Sequence, residues 1–290
     1  MIRKLSASNF KSWEQTGDIR LAPITGLFGS NSSGKTSILQ LFLMLKQTAE
    51  SADRTQVLHL GDKGSLVELG TFREVLFNHA DATSLRYALE WDLPEALTIE
   101  DPERKGKTLF EGASLSFGAE VDENGSGRMS VKKLTYAFAD QQFGMARKPK
   151  SKDKYDLFPE KKVAGETFRF IRTPGRVWPL PAPTKCYGFP DQVKAYYQNA
   201  AFLADLELAF ENLFTSVYYL GPLREYPKRE YTWAGSQPAD MGRRGEKVVD
   251  ALLASRERKE KISRGKGKKG FIVEEFVASW LKELKLIHSF

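Results

Sequence analysis

The chain has 290 residues, 41% of them hydrophobic and 28% charged, and a formal net charge of +7. That balance is ordinary for a globular protein of one large or two smaller domains, and it excludes wholesale disorder. A single cysteine, Cys186, excludes an internal disulfide and a cysteine-based zinc site. The strongest apolar stretch, Ile38 to Leu45, is too short to span a bilayer, and no run of signal-peptide length follows the charged N-terminus. These features predict a reducing, cytoplasmic setting and no membrane association. The charge is uneven. Residues 255–270 carry eight basic and two acidic groups, and residues 147–154 five basic and one acidic, which leaves the rest of the chain slightly acidic.

In chain order, Ile2 to Phe10 and Asp18 to Leu21 read as strands. Ile24-Thr25-Gly26-Leu27-Phe28 reads as a third strand, ending at Gly29. A helix is predicted from Gly34 to about Gln47. Its apolar residues cover nearly the whole circumference, as in a helix buried against a sheet. Residues 61–143 read as β-rich. Leu85, Tyr87, Leu89 and Trp91 alternate with polar or small residues, and Leu134, Tyr136 and Phe138 continue the pattern. The turn residues Asp122 to Gly127 predict a hairpin joining strands near 113–121 and 128–139. Residues 144–166 read as a mobile lysine-rich loop. Residues 174–190 hold five prolines and no clear period. Helical patterns follow at 191–216, 245–261 and 271–287, with a returning buried strand at 217–221 and a basic linker over 255–270. This divides the chain into a core at 1–60, a β-rich section at 61–173 and a helical section at 174–290.

Gly29-Ser30-Asn31-Ser32-Ser33-Gly34-Lys35-Thr36 fits the pattern G-x-x-x-x-G-K-[ST] in full, between a predicted strand and a predicted helix. Each position has a chemical reason. The glycines let backbone N–H groups turn toward phosphate oxygens, and the helix N-terminus adds positive dipole at the same point. Lys35 reaches the β- and γ-phosphates, and the Thr36 hydroxyl suits Mg²⁺. The segment therefore predicts a nucleotide site built from Gly29 to Ser37, with ATP and Mg²⁺ as its cofactors and Thr36 as the metal-facing residue.

The stretch LSASNFKSWEQTGDIRLAPITGLFGSNSSGKTSILQ resembles the opening of the RecF/SMC-like, OLD-like AAA ATPases, a branch of the ABC-type P-loop ATPases. The segment YYLGPLREYPKREYTWAGSQPADMGRRGE is similar to one found in bacterial members. The resemblance covers nearly the whole chain. It implies an α/β fold: a mixed sheet around the phosphate loop, with an antiparallel β section and a helical section. It also implies that the turn Asn9-Phe10-Lys11-Ser12 lies near the nucleotide, so that Lys11 and Ser12 touch phosphate or ribose. Relatives work on or near DNA, and several act in phage defence, often beside a nuclease. Their mechanism is ATP-driven closure of a dimer, each partner completing the other's site.

Parts of that pattern are not found in these residues. No LSGGQ-like signature loop is present. The nearest Walker B lookalike, Phe271-Ile272-Val273-Glu274-Glu275, lacks the aspartate and opens a predicted helix. None of His59, His79 and His288 stands after a strand where a switch histidine belongs. No catalytic residue is assigned, and hydrolysis is expected to need a further C-terminal section or a partner. Two other readings fit the phosphate loop: a stand-alone small-molecule kinase, and a non-catalytic nucleic-acid-binding module with a vestigial loop. The basic run at 255–270 fits either contact with nucleic-acid phosphates or a solvated linker. The segment from Leu223-Arg224 to Lys228, Arg229 and Tyr231 mixes basic and aromatic residues, which suits nucleic-acid or phosphate contact and equally a loop that only packs. Asp191, Asp205, Glu207 and Glu211 read as a solvated helix face.

Overall fold

The structure is a computed structural model. It describes residues 1–79, 84–101, 104, 106–123, 127–149, 151–161, 168–238, 240–263, 265 and 270–288. The chain divides into two compact units, Met1–Val217 and Tyr218–Phe290.

The first unit is built on one sheet. Its strands are β1 (Ile2–Phe10), β2 (Trp13–Gln15), β3 (Ile19–Arg20), β4 (Leu85–Glu100), β5 (Thr108–Glu123), β6 (Met129–Phe138), β7 (Gln141–Arg147) and β8 (Tyr155–Lys161). The spatial order is β2-β1-β4-β5-β6-β7-β8, with β3 also on β1, and every pairing is antiparallel. The alternation read from the sequence sets the buried face. Leu85, Tyr87, Leu89 and Trp91 on β4, Leu115, Phe117 and Val121 on β5, and Leu134, Tyr136 and Phe138 on β6 are all buried. The expected β5–β6 hairpin forms in antiparallel register from Ser116↔Ala137 to Glu123↔Met129. Its Asn124-Gly125 tip lies outside the described residues.

Two long helices supply the other side of this core: α1 (Lys35–Glu50) and α4 (Leu203–Thr215). Between them in sequence lie two short helices, α2 (Phe72–Val75) and α3 (Asp191–Tyr196). On α4, Leu206, Phe210 and Phe214 repeat at helical spacing and are all buried. The Phe210 ring meets Phe117 at 4.7 Å, Tyr187 at 4.6 Å and Trp91 at 6.4 Å between centroids. A second aromatic cluster joins Phe110, Phe143, Phe168 and Phe202. Each such contact adds about 0.5–1.5 kcal/mol beyond area burial.

The structure corrects five expectations. Ile24 to Phe28 forms no strand, and Ile24 and Phe28 are 93% and 94% exposed. A strand needs neighbours for its N–H and C=O groups, and both edges of β1 are already taken by β4 and by β2 and β3. The sheet is therefore antiparallel rather than mixed. The residues 144–166 are not simply a loop, because β7 and β8 pair there from Gln141↔Lys161 to Arg147↔Tyr155. The 191–216 helix is interrupted between α3 and α4. The returning strand at 217–221 does not form either: no strand pairs with it among the described residues, and Tyr218 and Leu220 are exposed.

The second unit contains α5 (Val248–Glu257), the hairpin β9 (Lys261–Ser263) and β10 (Gly270–Ile272), and α6 (Val273–Glu283). Glu274 and Glu275 lie in the first turn of α6, so the 271–275 run is a strand end followed by a helix start. No helix among the described residues is long and apolar enough to cross a membrane.

The acidic face of α4 is not simply solvated. Glu207 Oε1 accepts the Phe189 N–H at 2.6 Å, and Glu211 accepts the Tyr187 hydroxyl at 2.7 Å. Burial pushes the Glu207 carboxyl up to about 7, against the Phe189 bond and Lys194, which favour the anion. A group whose pKa is raised on folding stabilises the fold below its unfolded value and loses that contribution as pH rises through the folded one. Stability should therefore fall between about pH 4.5 and 7, by on the order of 3 kcal/mol. Glu207→Gln keeps the oxygen that accepts from Phe189, so its urea midpoint should lose most of this pH dependence.

Candidate nucleotide site

The phosphate loop leads directly into α1. Gly34 is the residue before the helix and has φ 86° and ψ 5°, a left-handed conformation that glycine adopts freely. Its lack of a side chain matters a second time. A Cβ at Gly34 would lie 2.5 Å from Ser12 Oγ and 2.6 Å from Trp13 Nε1. The two motifs read separately from the sequence are thus pressed together in the fold.

Hydrogen bonds hold this contact. Trp13 Nε1 donates to the Gly34 carbonyl at 3.0 Å, and the Ser12 and Ser37 hydroxyls share a bond of 3.2 Å. The Asn9–Ser12 turn is shaped around Phe10, which is 1% exposed. On either side of it, Asn9 and Lys11 have left-handed φ of 58° and 51°. Lys11 N–H donates to the Val75 carbonyl at 2.7 Å, which ties the turn to the end of α2.

These elements enclose a cavity of about 470 Å³ lined by Lys11, Ser12, Ser32 to Ser37, Glu74, Leu76, Asn78 and His79. Of the predicted site residues, Lys11, Ser12, Ser32, Ser33, Gly34, Lys35, Thr36 and Ser37 line this one cavity. Gly29, Ser30 and Asn31 form the outer limb of the loop and are not among its lining residues. The Lys35 ammonium lies back across that limb, donating to Gly29 O at 2.9 Å and Ser30 O at 2.6 Å.

The sequence reading missed the far wall. Glu74, Leu76, Asn78 and His79 stand in what was read as β-rich chain, but Thr71 and Glu74 form a reciprocal capping box that starts α2. The spacing Thr71-x-x-Glu74 ahead of Val75 and Leu76 was the available signal. The Thr71 N–H and hydroxyl bonds hold the Glu74 carboxyl below its ordinary range, so the wall carries a negative charge. That charge disfavours a bare polyphosphate and favours one accompanied by a cation. The fit to Mg²⁺ comes through the Thr36 hydroxyl and the ligand's own phosphates. No cluster of three or more histidine, cysteine or acidic groups suited to a metal occurs among the described residues. Cys186 is buried and its thiol is pushed up to about 12, which leaves it inert.

The basic windows are partly neutralised where they are described. Arg147 pairs with Asp122 and Lys148 with Asp156, while Arg256 faces Glu274 at 3.9 Å. Lys266, Lys268 and Lys269 lie outside the described residues. Leu223, Arg224, Lys228, Arg229 and Tyr231 belong to the second unit.

No family model and no curated protein matches the chain. Among solved structures, the chain is similar to an SMC ATPase from work on ATP-driven dimerization and DNA-stimulated activation. That match is 17% identical, spans 45% of this chain and 67% of the other, and has a TM-score of 0.26. A likeness this loose carries no weight of its own, and the functional case rests on the residues.

Gly34→Ala should be worse than a helix-start substitution elsewhere, because the new methyl meets Ser12 and Trp13 and strains a left-handed backbone. A loss of about 2–4 kcal/mol in chemical denaturation is expected. Trp13→Phe, which removes the indole donor to the Gly34 carbonyl, should cost about 1 kcal/mol in the same measurement.

Proposed function

We propose that this chain is the ATP-binding part of a RecF/SMC/OLD-like ATPase that works on or near DNA. The observation that carries the reading is the seating of the Asn9–Ser12 turn on Gly34, so that Lys11, Ser12, Lys35 and Thr36 line one cavity at the start of α1. In this reading the triphosphate lies over the loop backbone, with Lys35 exchanging Gly29 O and Ser30 O for the β- and γ-phosphates. Thr36 supports Mg²⁺ between those phosphates. Lys11 and Ser12 contact the phosphate or ribose from the opposite side.

Turnover, in the same reading, requires a catalytic carboxylate and a signature loop contributed by a partner segment. A partner subunit or a further C-terminal section is the natural source, because this sequence holds neither element, and an associated nuclease fits the same scheme. The setting would be phage defence or DNA repair.

Lys35→Ala should weaken ATP binding by about ten- to a hundredfold, the worth of one or two charge-assisted hydrogen bonds. Calorimetric titration with ATP and Mg²⁺ reads this directly. Unchanged affinity in a variant with a normal melting curve would remove the proposal. On the DNA side, replacing Lys266, Lys268 and Lys269 with glutamine should lower non-specific affinity. It should also reduce the slope of log K against log salt by about three phosphate contacts' worth. Identical binding by wild type and triple variant across a salt titration would assign the 255–270 run to a linker.

A further inference from the structure

The phosphate end of the cavity has an evident occupant in the proposed function, but its opposite wall does not. There the chain turns from α2 through Leu76 to His79. Leu76 is buried and lines the cavity, and Asn78 and His79 line it while remaining exposed. Both have left-handed φ of 51°. Four of the ten non-glycine residues with positive φ among the described ones line this cavity: Lys11, Ser32, Asn78 and His79. Strained backbone of this kind persists where the surroundings hold it, and it gathers at ligand sites.

The turn is fixed by its neighbours. His79 N–H donates to Leu76 O at 3.1 Å, and Arg73 Nε donates to His79 O at 3.3 Å. The His79 ring meets the Arg73 carbonyl through Nδ1 at 3.2 Å. A carbonyl only accepts, so Nδ1 carries the hydrogen, and in that tautomer Nε2 is the acceptor.

We infer that Leu76, Asn78 and His79 form the base subsite of the nucleotide site, and that they select a purine bearing an amino group at C6. This rests on the nucleotide reading above. Leu76, which is buried, backs this wall with an apolar side chain. The His79 Nε2 acceptor matches the exocyclic N–H₂ of adenine, and the Asn78 amide matches the paired N6 donor and N7 acceptor of the same edge. Guanine presents a carbonyl there, which leaves the His79 acceptor facing another acceptor.

The test is a competition among ATP, GTP and inorganic tripolyphosphate, each with Mg²⁺, on the wild-type chain and on His79→Ala and Lys35→Ala. The wild type should bind ATP about tenfold tighter than GTP or tripolyphosphate, the worth of one base contact. His79→Ala should bind ATP only as tightly as tripolyphosphate, whose own affinity should not move. The wild-type comparison stands even if that variant fails to fold. Equal binding of ATP, GTP and tripolyphosphate by wild type, all lost in Lys35→Ala, would overturn the base subsite and leave the phosphate site in place. Binding of all three ligands unchanged by Lys35→Ala would overturn the nucleotide site itself, and the base subsite with it.

Discussion

The first unit's site depends on one close contact: the Trp13 indole and the Ser12 hydroxyl lying against the bare backbone of Gly34. Glycine in a phosphate loop is usually explained from the ligand's side, as room for an oxygen to approach an N–H. Here the fold needs it equally. The strand β1 ends in a left-handed turn around the buried Phe10, and Ser12 and Trp13 are delivered onto the residue before α1. One missing methyl group lets a sheet strand and a helix start meet. A side chain there would press on Ser12 and Trp13.

The helix that begins there is anchored at its other end by buried polar groups. Lys46 is 5% exposed and donates to Glu50 Oε1 at 2.5 Å and to the Phe214 carbonyl at the end of α4 at 3.0 Å. Lys185, also buried, donates to Ala49 O and Ser51 O and so satisfies carbonyls that the last turn of α1 leaves open. Gln47 bonds to His59 O and to both polar groups of Val67. Buried charges persist only when paired or hydrogen-bonded in this way. The effect is to hold α1 as a fixed post between α4 and the 59–67 segment, so that its N-terminal dipole is presented to the cavity without rearrangement.

What was legible in the sequence follows from how local each cause is. The alternation of β4, β5 and β6 and the helical pattern after Gly34 are local, and the elements they predict are present. The Asn9–Ser12 turn was legible only through resemblance, because its left-handed residues are a consequence of Phe10 entering the core. The far wall was missed because Glu74 sits on α2, a helix of four residues too short to show a period, and Asn78 and His79 on the turn after it. The acidic residues of α4 were misread for a related reason. Helical spacing places Glu207 and Glu211 beside one another, but only tertiary packing shows that Phe189 and Tyr187 cover them.

The Ile24–Phe28 segment is the most instructive departure. Its composition is that of a buried strand, yet strand formation is decided by available partners, and β1 has none to spare on either edge. A phosphate loop is ordinarily held by a strand on one limb and a helix on the other. In this unit the strand limb is unpaired, so its geometry is set from the helix side and from within. Ser33 N–H donates to Ser30 O, and Lys35 spans the limb to Gly29 O and Ser30 O. The lysine that would bind phosphate is therefore also the brace that shapes the loop. A phosphate must replace those two carbonyl bonds, so its net gain is a difference between two charge-assisted sets rather than the full strength of either. The same exchange would release from Lys35 the outer limb that the exposed Ile24–Phe28 segment leads into.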